Sequence, residues 1–379
     1  MILKISLQPL GKFFFGGEAG FNEAGREEDR RTTYVLHSRY YPQQTGVLGL
    51  IRNQLLLQNG LLWDNSARVS DKTAAKTLIG GHGFKVGYKS NFGVIQKIGP
   101  VYLESADGSL CPPAPLDDVL MKDKNESPVP MVFAREHNHS LLRHYNEKAG
   151  LDDAIQHLTS PSVVLEEAFE PIEQVGITKA VRPNGVPLED KEDESGYYYQ
   201  TFLKFRKPDD KNKLPFGVQR FSFYVEMSED QPYKLESGIV EFGGERSTFQ
   251  MTVEQTKLQK MPLPVVSYRH TTDEKGVTVK RLVCLSPSYV DMSKLKPLAW
   301  LIVSKSLSFR FFQTSTEDTE NHQKISRDNS DKSLMESKLF QLLDRGSVIY
   351  FDPNNEKTIS NLFEHIDFQN IGYNQFTIL

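Results

Sequence analysis

The chain has 379 residues, a net charge of −4 and a hydrophobic fraction of 38%, which exclude a disordered chain and allow two domains of ordinary size. Its two cysteines stand far apart without CxxC spacing, which excludes a cysteine-rich zinc site, and no apolar run reaches the roughly 18 residues of a membrane span. The negative charge excludes a protein that coats nucleic acid by bulk charge, so any nucleic-acid site must be local.

The N-terminal stretch contains a short predicted strand followed by an aromatic run. It lacks a cationic region before an apolar core, so it is not a secretory signal and we expect a cytoplasmic protein. Leu3 to Leu7 alternate as a strand, which we expect to be central. In the next segment, KFFFGGEAGF, the rings either pack under the loop, which we favour, or stack on bases. The charged run Arg26 to Arg31 predicts a solvated loop.

The stretch YYPQQTGVLGLIRNQ, residues 40–54, predicts an extended approach into a helix that ends near Gln58. At about 100° per residue, Thr45, Gly49 and Arg52 share one face. The opposite face is apolar and predicts core packing: Val47, Leu48, Ile51 and Leu55. A hydroxyl, a bare glycine backbone and an arginine at a helix N-terminus suit a phosphate group. The alternative is that Thr45 caps the helix, Gly49 permits close packing and Arg52 is solvated.

The middle of the chain shows neither a phosphate-binding loop nor a metal site. The glycine-rich span Leu78 to Ile95 lacks GxxxxGK[ST], so it predicts a loop. Gly93 to Leu103 predicts either a strand pair or one bent strand. His137 to Gly150 predicts an inserted helix. Its histidines, His137, His139 and His144, lack the i, i+4 spacing of a helical ligand pair. The sequence therefore predicts no metal and no cofactor.

The second half predicts antiparallel strands. We place a domain boundary after Pro161, which gives domains 1–165 and 166–379. The acidic run LEDKEDES predicts the tip of a hairpin that joins Val175–Ala180 to the strand GYYYQTFLKF. PLAWLIVSKSL predicts a helix, and Thr314 to Ser333 predicts a mobile polar segment. GSVIYF and the C-terminal QFTIL predict strands.

Three segments combine backbone glycine with a hydroxyl and a cation, which suits contact with a sugar-phosphate backbone. They begin at Gly46, Gly176 and Gly243. The predicted RNA contacts are Arg39, Thr45, Gly46, Gly49, Arg52, Gly176, Ile177, Thr178, Lys179, Arg182, Gly243, Gly244, Arg246 and Ser247. GxSxG, Walker, HExxH and kinase motifs are absent. The strongest catalytic candidate is His37, near Arg39, as a general acid or base in RNA cleavage.

An ordered set of motifs spans nearly the whole chain. It consists of KFFFGGEAGF, PxxTxxxGxxR from Pro42 to Arg52, GPVYL followed by PxPLDD, VGITKA, FGGERS and DRGSVIYF. With these motifs the chain resembles the RAMP superfamily of CRISPR proteins, and within it the third subunits of the Cmr complex, the type III-B effector.

The resemblance implies an α+β fold of two tandem ferredoxin-like (RRM-like) βαββαβ modules with inserted loops. It further implies an antiviral, non-catalytic RNA-binding subunit that holds the 5′ repeat-derived tag of the CRISPR RNA (crRNA). The implied partners are the large polymerase-like subunit and adjacent RAMP backbone subunits. At the glycine-rich loop common near RAMP C-termini, this chain keeps one glycine, Gly372, beside Tyr373, which is a candidate to stack on a base.

Two alternatives remain open. One is a RAMP endoribonuclease that processes CRISPR repeats with His37. The other is the equivalent subunit of a type III-A complex, which shares the PxxTxxxG helix start.

Overall fold

The computed structural model describes residues 1–16, 19–22, 33–62, 69–88, 90–118, 120–122, 128–136, 139–145, 151, 157–159, 162–178, 196–206, 217–263, 279–314 and 334–379. These residues form the predicted α+β fold, in which strands predominate. No helix among them is long and apolar enough to cross a membrane. The predicted loop at 26–31, the acidic tip at 188–195 and the polar segment 315–333 lie outside the described residues.

The strands of the first half, numbered in chain order, are β1 (Ile2–Pro9), β2 (Ala19–Asn22), β3 (Thr33–His37), β4 (Ile95–Ile98), β5 (Tyr102–Ser105), β6 (Leu110–Cys111), β7 (Leu120–Lys122), β8 (Pro128–Pro130), β9 (Val132–Glu136), β10 (His139–Arg143), β11 (His157–Thr159) and β12 (Ser162–Val164). Those of the second half are β13 (Phe169–Thr178), β14 (Gly196–Phe205), β15 (Val218–Met227), β16 (Gly238–Glu241), β17 (Thr248–Gln255), β18 (Lys280–Cys284), β19 (Ala299–Val303), β20 (Ser306–Phe309), β21 (Phe312–Thr314), β22 (Leu334–Glu336), β23 (Phe340–Leu343), β24 (Val348–Phe351) and β25 (Phe376–Ile378). The helices are α1 (Gln44–Gln58), α2 (Lys72–Ile79), α3 (Met292–Leu295), α4 (Glu356–Phe363) and α5 (Ile366–Gln369), with 3-10 turns at Glu166–Ala168 and Pro353–Asn355.

The first sheet has seven strands in the order β16-β17-β1-β15-β5-β6, with β4 also paired to β15. As predicted, β1 is central, and it pairs antiparallel with β15 and β17. Its inward side chains are fully buried with those of α1, as Ile5 and Ile51 illustrate. Strands from both sides of residue 165 therefore share one sheet, so the strand pairing does not follow the predicted division into 1–165 and 166–379.

The second sheet has four strands in the order β19-β24-β18-β25, and all three pairings are antiparallel. Short helices cover one face and bury Leu295, Ile359 and Phe363 completely. The predicted strands GSVIYF and QFTIL are confirmed as β24 and β25.

A third sheet, β13-β14-β3-β2, is called the ribbon here. Its β13 and β14 form the predicted antiparallel pair, and β3 joins β14 in parallel.

Buried polar contacts join the segment that follows β6 of the first sheet to the second sheet. The backbone N–H of Leu116 donates to the carbonyl of Gly346 at 2.8 Å. Beside it, Arg281 Nη1 lies 2.6 Å from Asp117 Oδ2, and the Tyr350 hydroxyl donates to the same oxygen. Because Arg281 and Asp117 are both almost fully buried, each charge depends on the other for stability.

Two predicted helices are wrong. The segment 137–150 contributes β10, which pairs with β9 as a hairpin, because Leu141 and Leu142 find cross-strand partners in Ala134 and Phe133. The run PLAWLIVSKSL contributes β19 and the start of β20. Its Leu-Ile-Val core pairs with β24, and β-branched side chains favour that state.

Candidate nucleic-acid interface

The aromatic run Phe13–Phe15 lies at the centre of the candidate site. Its three side chains are at most 7% exposed. Phe13 and Phe15 pack against each other and against Phe221 and Phe249, while Phe14 packs against Phe202. The prediction that these rings pack rather than stack on bases is confirmed. Their burial fixes the backbone of the run, which is then available to hold neighbouring loops.

The backbone of Phe13–Phe15 binds three separate segments. Phe13 exchanges hydrogen bonds with Leu203 on β14, at 2.7 and 2.9 Å. Phe15 accepts from the N–H of Arg39 at 2.9 Å and donates to Ser38 Oγ at 2.9 Å. The carbonyl of Phe14 accepts from the N–H of Gly244 at 2.7 Å. We call this run the aromatic hub, since it ties together the ribbon, the entry to α1 and the turn 243–247.

The turn 243–247 has an unusual backbone. Gly243 has φ +89°, and a Cβ there would lie 2.5 Å from the carbonyl oxygen of Phe14. Glu245 and Arg246 also have positive φ, at 54° and 52°, although both carry side chains. Such conformations cost free energy and persist where the surroundings enforce them. Here Ser247, 4% exposed, holds the turn by accepting from the N–H of Phe14 at 2.9 Å and donating to the carbonyl of Gly244 at 2.7 Å.

The start of α1 lies beside this turn. A Cβ at Gly46 would sit 3.5 Å from the ring of Phe242, the residue that precedes the turn. Gly49, one turn further along the helix, is exposed and has nothing within 4 Å of a Cβ position. Gln43 at the N-cap makes no side-chain capping bond. The predicted apolar face is confirmed, since all four of its residues are buried, and the glycine face is open.

The two arginines near α1 face different surroundings. Arg39 Nη2 donates to the carbonyl of Ser308 at 3.2 Å. Arg52 Nη2 reaches the carbonyl of Gly80 at 3.4 Å, and burial lowers the pKa of its guanidinium. Arg52 thus lies under the loop after α2, and its RNA contact stays a prediction.

The remaining predicted contacts lie on the ribbon. Gly176 is five residues beyond Pro171 on β13, and Pro171 pairs with Leu203, which contacts the aromatic hub. The separation is roughly 17 Å at the rise of a strand. The backbones of Ile177 and Thr178 continue β13, while Lys179 and Arg182 lie outside the described residues. The structure therefore brings two of the three glycine segments together and leaves the third along the ribbon.

Within the described residues, neither His37 nor a group of metal-binding side chains forms an arrangement suited to catalysis. His37 ends β3 with an exposed side chain. No group of three His, Cys, Asp or Glu side chains there is arranged to hold a metal ion.

One polar group that the sequence did not single out is Arg345, in the motif DRGSVIYF. It is 6% exposed, and its guanidinium lies 4.1 Å over the ring of Tyr41. Tyr373, proposed above to stack on a base, is 2% exposed and packs against Phe309 and Phe368 instead. That stacking hypothesis is therefore wrong for this conformation. Arg345 lies in the turn just before β24, where the sequence pattern gives no signal for it.

Comparison with known proteins gives one family and several distant structures. The family model described as CRISPR-associated protein (Cas_Cmr3) matches residues 5–379. The chain is similar to a chain of the cryo-EM structure of the Type III-B Cmr-beta bound to cognate target RNA, with 13% identity, a TM-score of 0.42 and coverage of 100% of this chain and 96% of that one. A second structure, of the same complex bound to cognate target RNA and AMPPnP in state 1, gives 12%, 0.39, 99% and 96%. No curated protein matches significantly.

Proposed function

The chain belongs to the Cas_Cmr3 family of CRISPR-associated proteins, and from that membership we propose that it is the third, RAMP-type subunit of a Cmr (type III-B) effector complex. In this role it holds the 5′ repeat-derived tag of the crRNA and docks the large polymerase-like subunit. It works in antiviral defence in the cytoplasm. The motifs ordered along the chain support the same assignment.

Sheet topology supports two ferredoxin-like modules. In an antiparallel βαββαβ module the strand order is 4-1-3-2. The order β17-β1-β15-β5 fits it in the first sheet, and β25-β18-β24-β19 fits it in the second. The first module departs from the pattern, because residues 228–247 between β15 and β17 contain no helix. We place the division between residues 263 and 279, in place of residue 165.

The observation that carries RNA binding is the aromatic hub, which seats the turn 243–247 beside the start of α1. There the backbones of Gly46 and Gly49 are open to close approach, and the exposed Arg246 supplies a cation. Small residues admit a sugar-phosphate backbone, and arginine pairs with phosphate oxygens. The guide is proposed to cross the hub from α1 towards the ribbon.

The ribbon is proposed to contact neighbouring subunits. Val175 and Tyr199, which pair across β13 and β14, are 53% and 44% exposed. Exposed apolar side chains that lie side by side on a sheet favour a protein partner.

We propose a non-catalytic role. The exposed imidazole of His37 forms no hydrogen bond with the described residues, whereas a general base needs an orienting partner to hold its tautomer. This favours RNA holding over the endoribonuclease alternative.

The test uses the reconstituted effector and compares Arg246→Ala with Lys296→Ala, which removes an exposed cation just after α3. We expect Arg246→Ala to weaken guide retention and to reduce the slope of log affinity against log salt by about 1. Lys296→Ala should leave both unchanged. Equal retention by the two variants at every salt concentration would remove Arg246 from the site.

Two further measurements separate the alternatives. Metal-independent cleavage of repeat RNA by the purified chain, abolished in His37→Ala, would replace the proposal with the endoribonuclease. Co-purification with a type III-A set of subunits would replace the Cmr assignment.

A further inference from the structure

Five residues from four parts of the chain gather where the first sheet meets the second. Each has a buried polar side-chain atom without a hydrogen-bond partner among the described residues. They are Tyr41, Gln44, Tyr102, Arg345 and Tyr373, and together we call them the Arg345 cluster. Since buried polar atoms are nearly always paired, five such residues at one place need an explanation.

Arg345 supplies the charge of the cluster. Its Nε and Nη2 atoms are buried and make no hydrogen bond to described residues. The neighbouring carboxylate of Asp344 accepts from the backbone N–H of Arg345 at 2.7 Å, and no ion pair to the guanidinium occurs within the described part of the chain. The ring of Tyr41 covers one side of the guanidinium but cannot accept along the N–H directions.

The three tyrosines supply hydroxyl donors. Tyr102 and Tyr373 are 1% and 2% exposed, and the Tyr41 hydroxyl is buried as well. Burial raises the pKa of all three phenols, while the charge of Arg345 acts in the opposite direction on each. The net direction is upward, so all three stay protonated at neutral pH and able to donate.

The N-terminus of α1 completes the cluster. The Tyr373 hydroxyl lies beside the backbone of Gln44 and the side chain of Thr45. The Gln44 amide donates through Nε2 to the carbonyl of Gly372 at 3.2 Å, which leaves its Oε1 unpaired among the described groups. Gln43 makes no side-chain capping bond, so the first N–H groups of the helix have no partner in the N-cap side chain.

The guanidinium atoms of the Arg345 cluster can only donate, and each of the three hydroxyls can donate as well as accept. The buried guanidinium charge therefore has no negatively charged acceptor among the unpaired atoms of the cluster. We infer that the Arg345 cluster binds one phosphate-class oxyanion where the first sheet meets the second. An anion accepts from several donors and also neutralises the buried guanidinium, whereas water does only the first. The phosphate is either free in solution or a phosphate group of bound RNA.

The test measures thermal unfolding of the purified full chain with inorganic phosphate against chloride at equal ionic strength. We expect the melting temperature to rise with phosphate concentration, because the anion binds the folded state alone. Tyr102→Phe and Tyr373→Phe each remove one hydroxyl, and Arg345→Lys removes the fork but keeps the charge. Each should weaken the apparent phosphate affinity by about tenfold.

The matched control is Tyr233→Phe. It also removes a buried hydroxyl without a partner among the described residues, but near the other end of α1, where Lys234 binds Asn59. It should keep the full phosphate response.

A second titration with single-stranded RNA separates the two sources of phosphate. A response to inorganic phosphate that Tyr102→Phe weakens assigns a free anion. A response to RNA alone, weakened by the same variant, assigns an RNA phosphate group. If neither probe stabilises the wild type, or if the response is the same in Tyr102→Phe and Tyr233→Phe, ordered water fills the cluster and the inference is wrong.

Discussion

Four strands of the first sheet, β17-β1-β15-β5, follow the same order as the four strands of the second, β25-β18-β24-β19. The two sheets differ in the segments that cover them. In the second sheet both crossovers contain helices, and these bury Leu295, Ile359 and Phe363. In the first sheet α1 occupies one crossover, while the other is replaced by β16, the turn 243–247 and the rings of the aromatic hub. A helix satisfies its own backbone groups, whereas a turn leaves glycine backbone and strained residues at the surface. The candidate RNA site therefore lies on the less regular of the two sheets.

The largest expected loss of stability comes from breaking the buried ion pair between the two sheets. Asp117→Ala removes the carboxylate that pairs with Arg281 in the buried contact between them. We expect a loss of about 3–5 kcal/mol in the free energy of unfolding, because a buried guanidinium loses its carboxylate partner. Urea unfolding followed by tryptophan fluorescence and by circular dichroism measures it.

The control for this experiment is Glu136→Ala. It breaks the exposed pair with Arg143, whose side chains are 52% and 45% exposed, and should change stability by less than about 1 kcal/mol. Similar losses in the two variants would show that the buried pair does not hold the sheets together.

An intermediate effect on stability comes from replacing a glycine. The comparison is between Gly372, where the two sheets meet, and Gly49, on the open face of α1. Gly372 has φ +90°, and a Cβ there would lie 2.5 Å from the carbonyl oxygen of Gly99. We expect Gly372→Ala to cost about 2–4 kcal/mol, since both the left-handed backbone and the overlap oppose it. The measurement is the midpoint of urea unfolding.

Gly49→Ala is the matched substitution. Because nothing lies within 4 Å of its Cβ position and the site is inside a helix, we expect a gain of about 0.5–1 kcal/mol. In the assembled complex the same variant should weaken guide binding if RNA approaches that backbone. A stability loss in Gly49→Ala would contradict the open face described for α1.

The last comparison uses pH and the two buried thiols, Cys111 in the first sheet and Cys284 in the second. Burial raises the pKa of Cys111 to about 11 and that of Cys284 to about 12. An unfolded thiol ionises near pH 8.5, so above that pH the unfolded state loses protons that the folded state keeps. Stability should therefore fall as pH rises from about 8.5 towards these values, with a limit of about 1.4 kcal/mol per pH unit for each thiol.

Urea unfolding at pH 7, 9 and 10 measures this slope. The double variant Cys111→Ala, Cys284→Ala reports the slope from all other groups and should be flatter. An equal slope in the double variant would show that the thiols titrate alike in both states.

The sequence predicted those parts of the fold that depend on local pattern. The helix 44–58 has a long periodic apolar face, and β1, β24 and β25 are apolar runs bounded by turn residues. The prediction of a helix around Trp300 was wrong, because a short apolar segment fits a helix or a strand equally well. The strand that decides between them, β24, lies about 50 residues away in the sequence. The pairing of β1 with β15 could not be predicted from the sequence either, because the two strands lie more than 200 residues apart.

The candidate site was predictable in its composition and less so in its arrangement. Glycine, serine and arginine types marked the turn 243–247 and the start of α1. Their contact through Phe242, and the burial of Arg52, depend on packing between distant segments. Arg345 was missed because a single arginine beside a strand carries no pattern of its own.

The central position of β1 has a consequence for synthesis on the ribosome. Both neighbours of β1 lie more than 200 residues later in the chain, so both of its edges are unpaired until β15 has emerged, and one stays unpaired until β17 has emerged. At 5–20 residues per second the whole delay is roughly 10–50 s. During this time an apolar strand with an open edge is a template for misassembly, so we expect the nascent chain to need chaperone protection up to about residue 255.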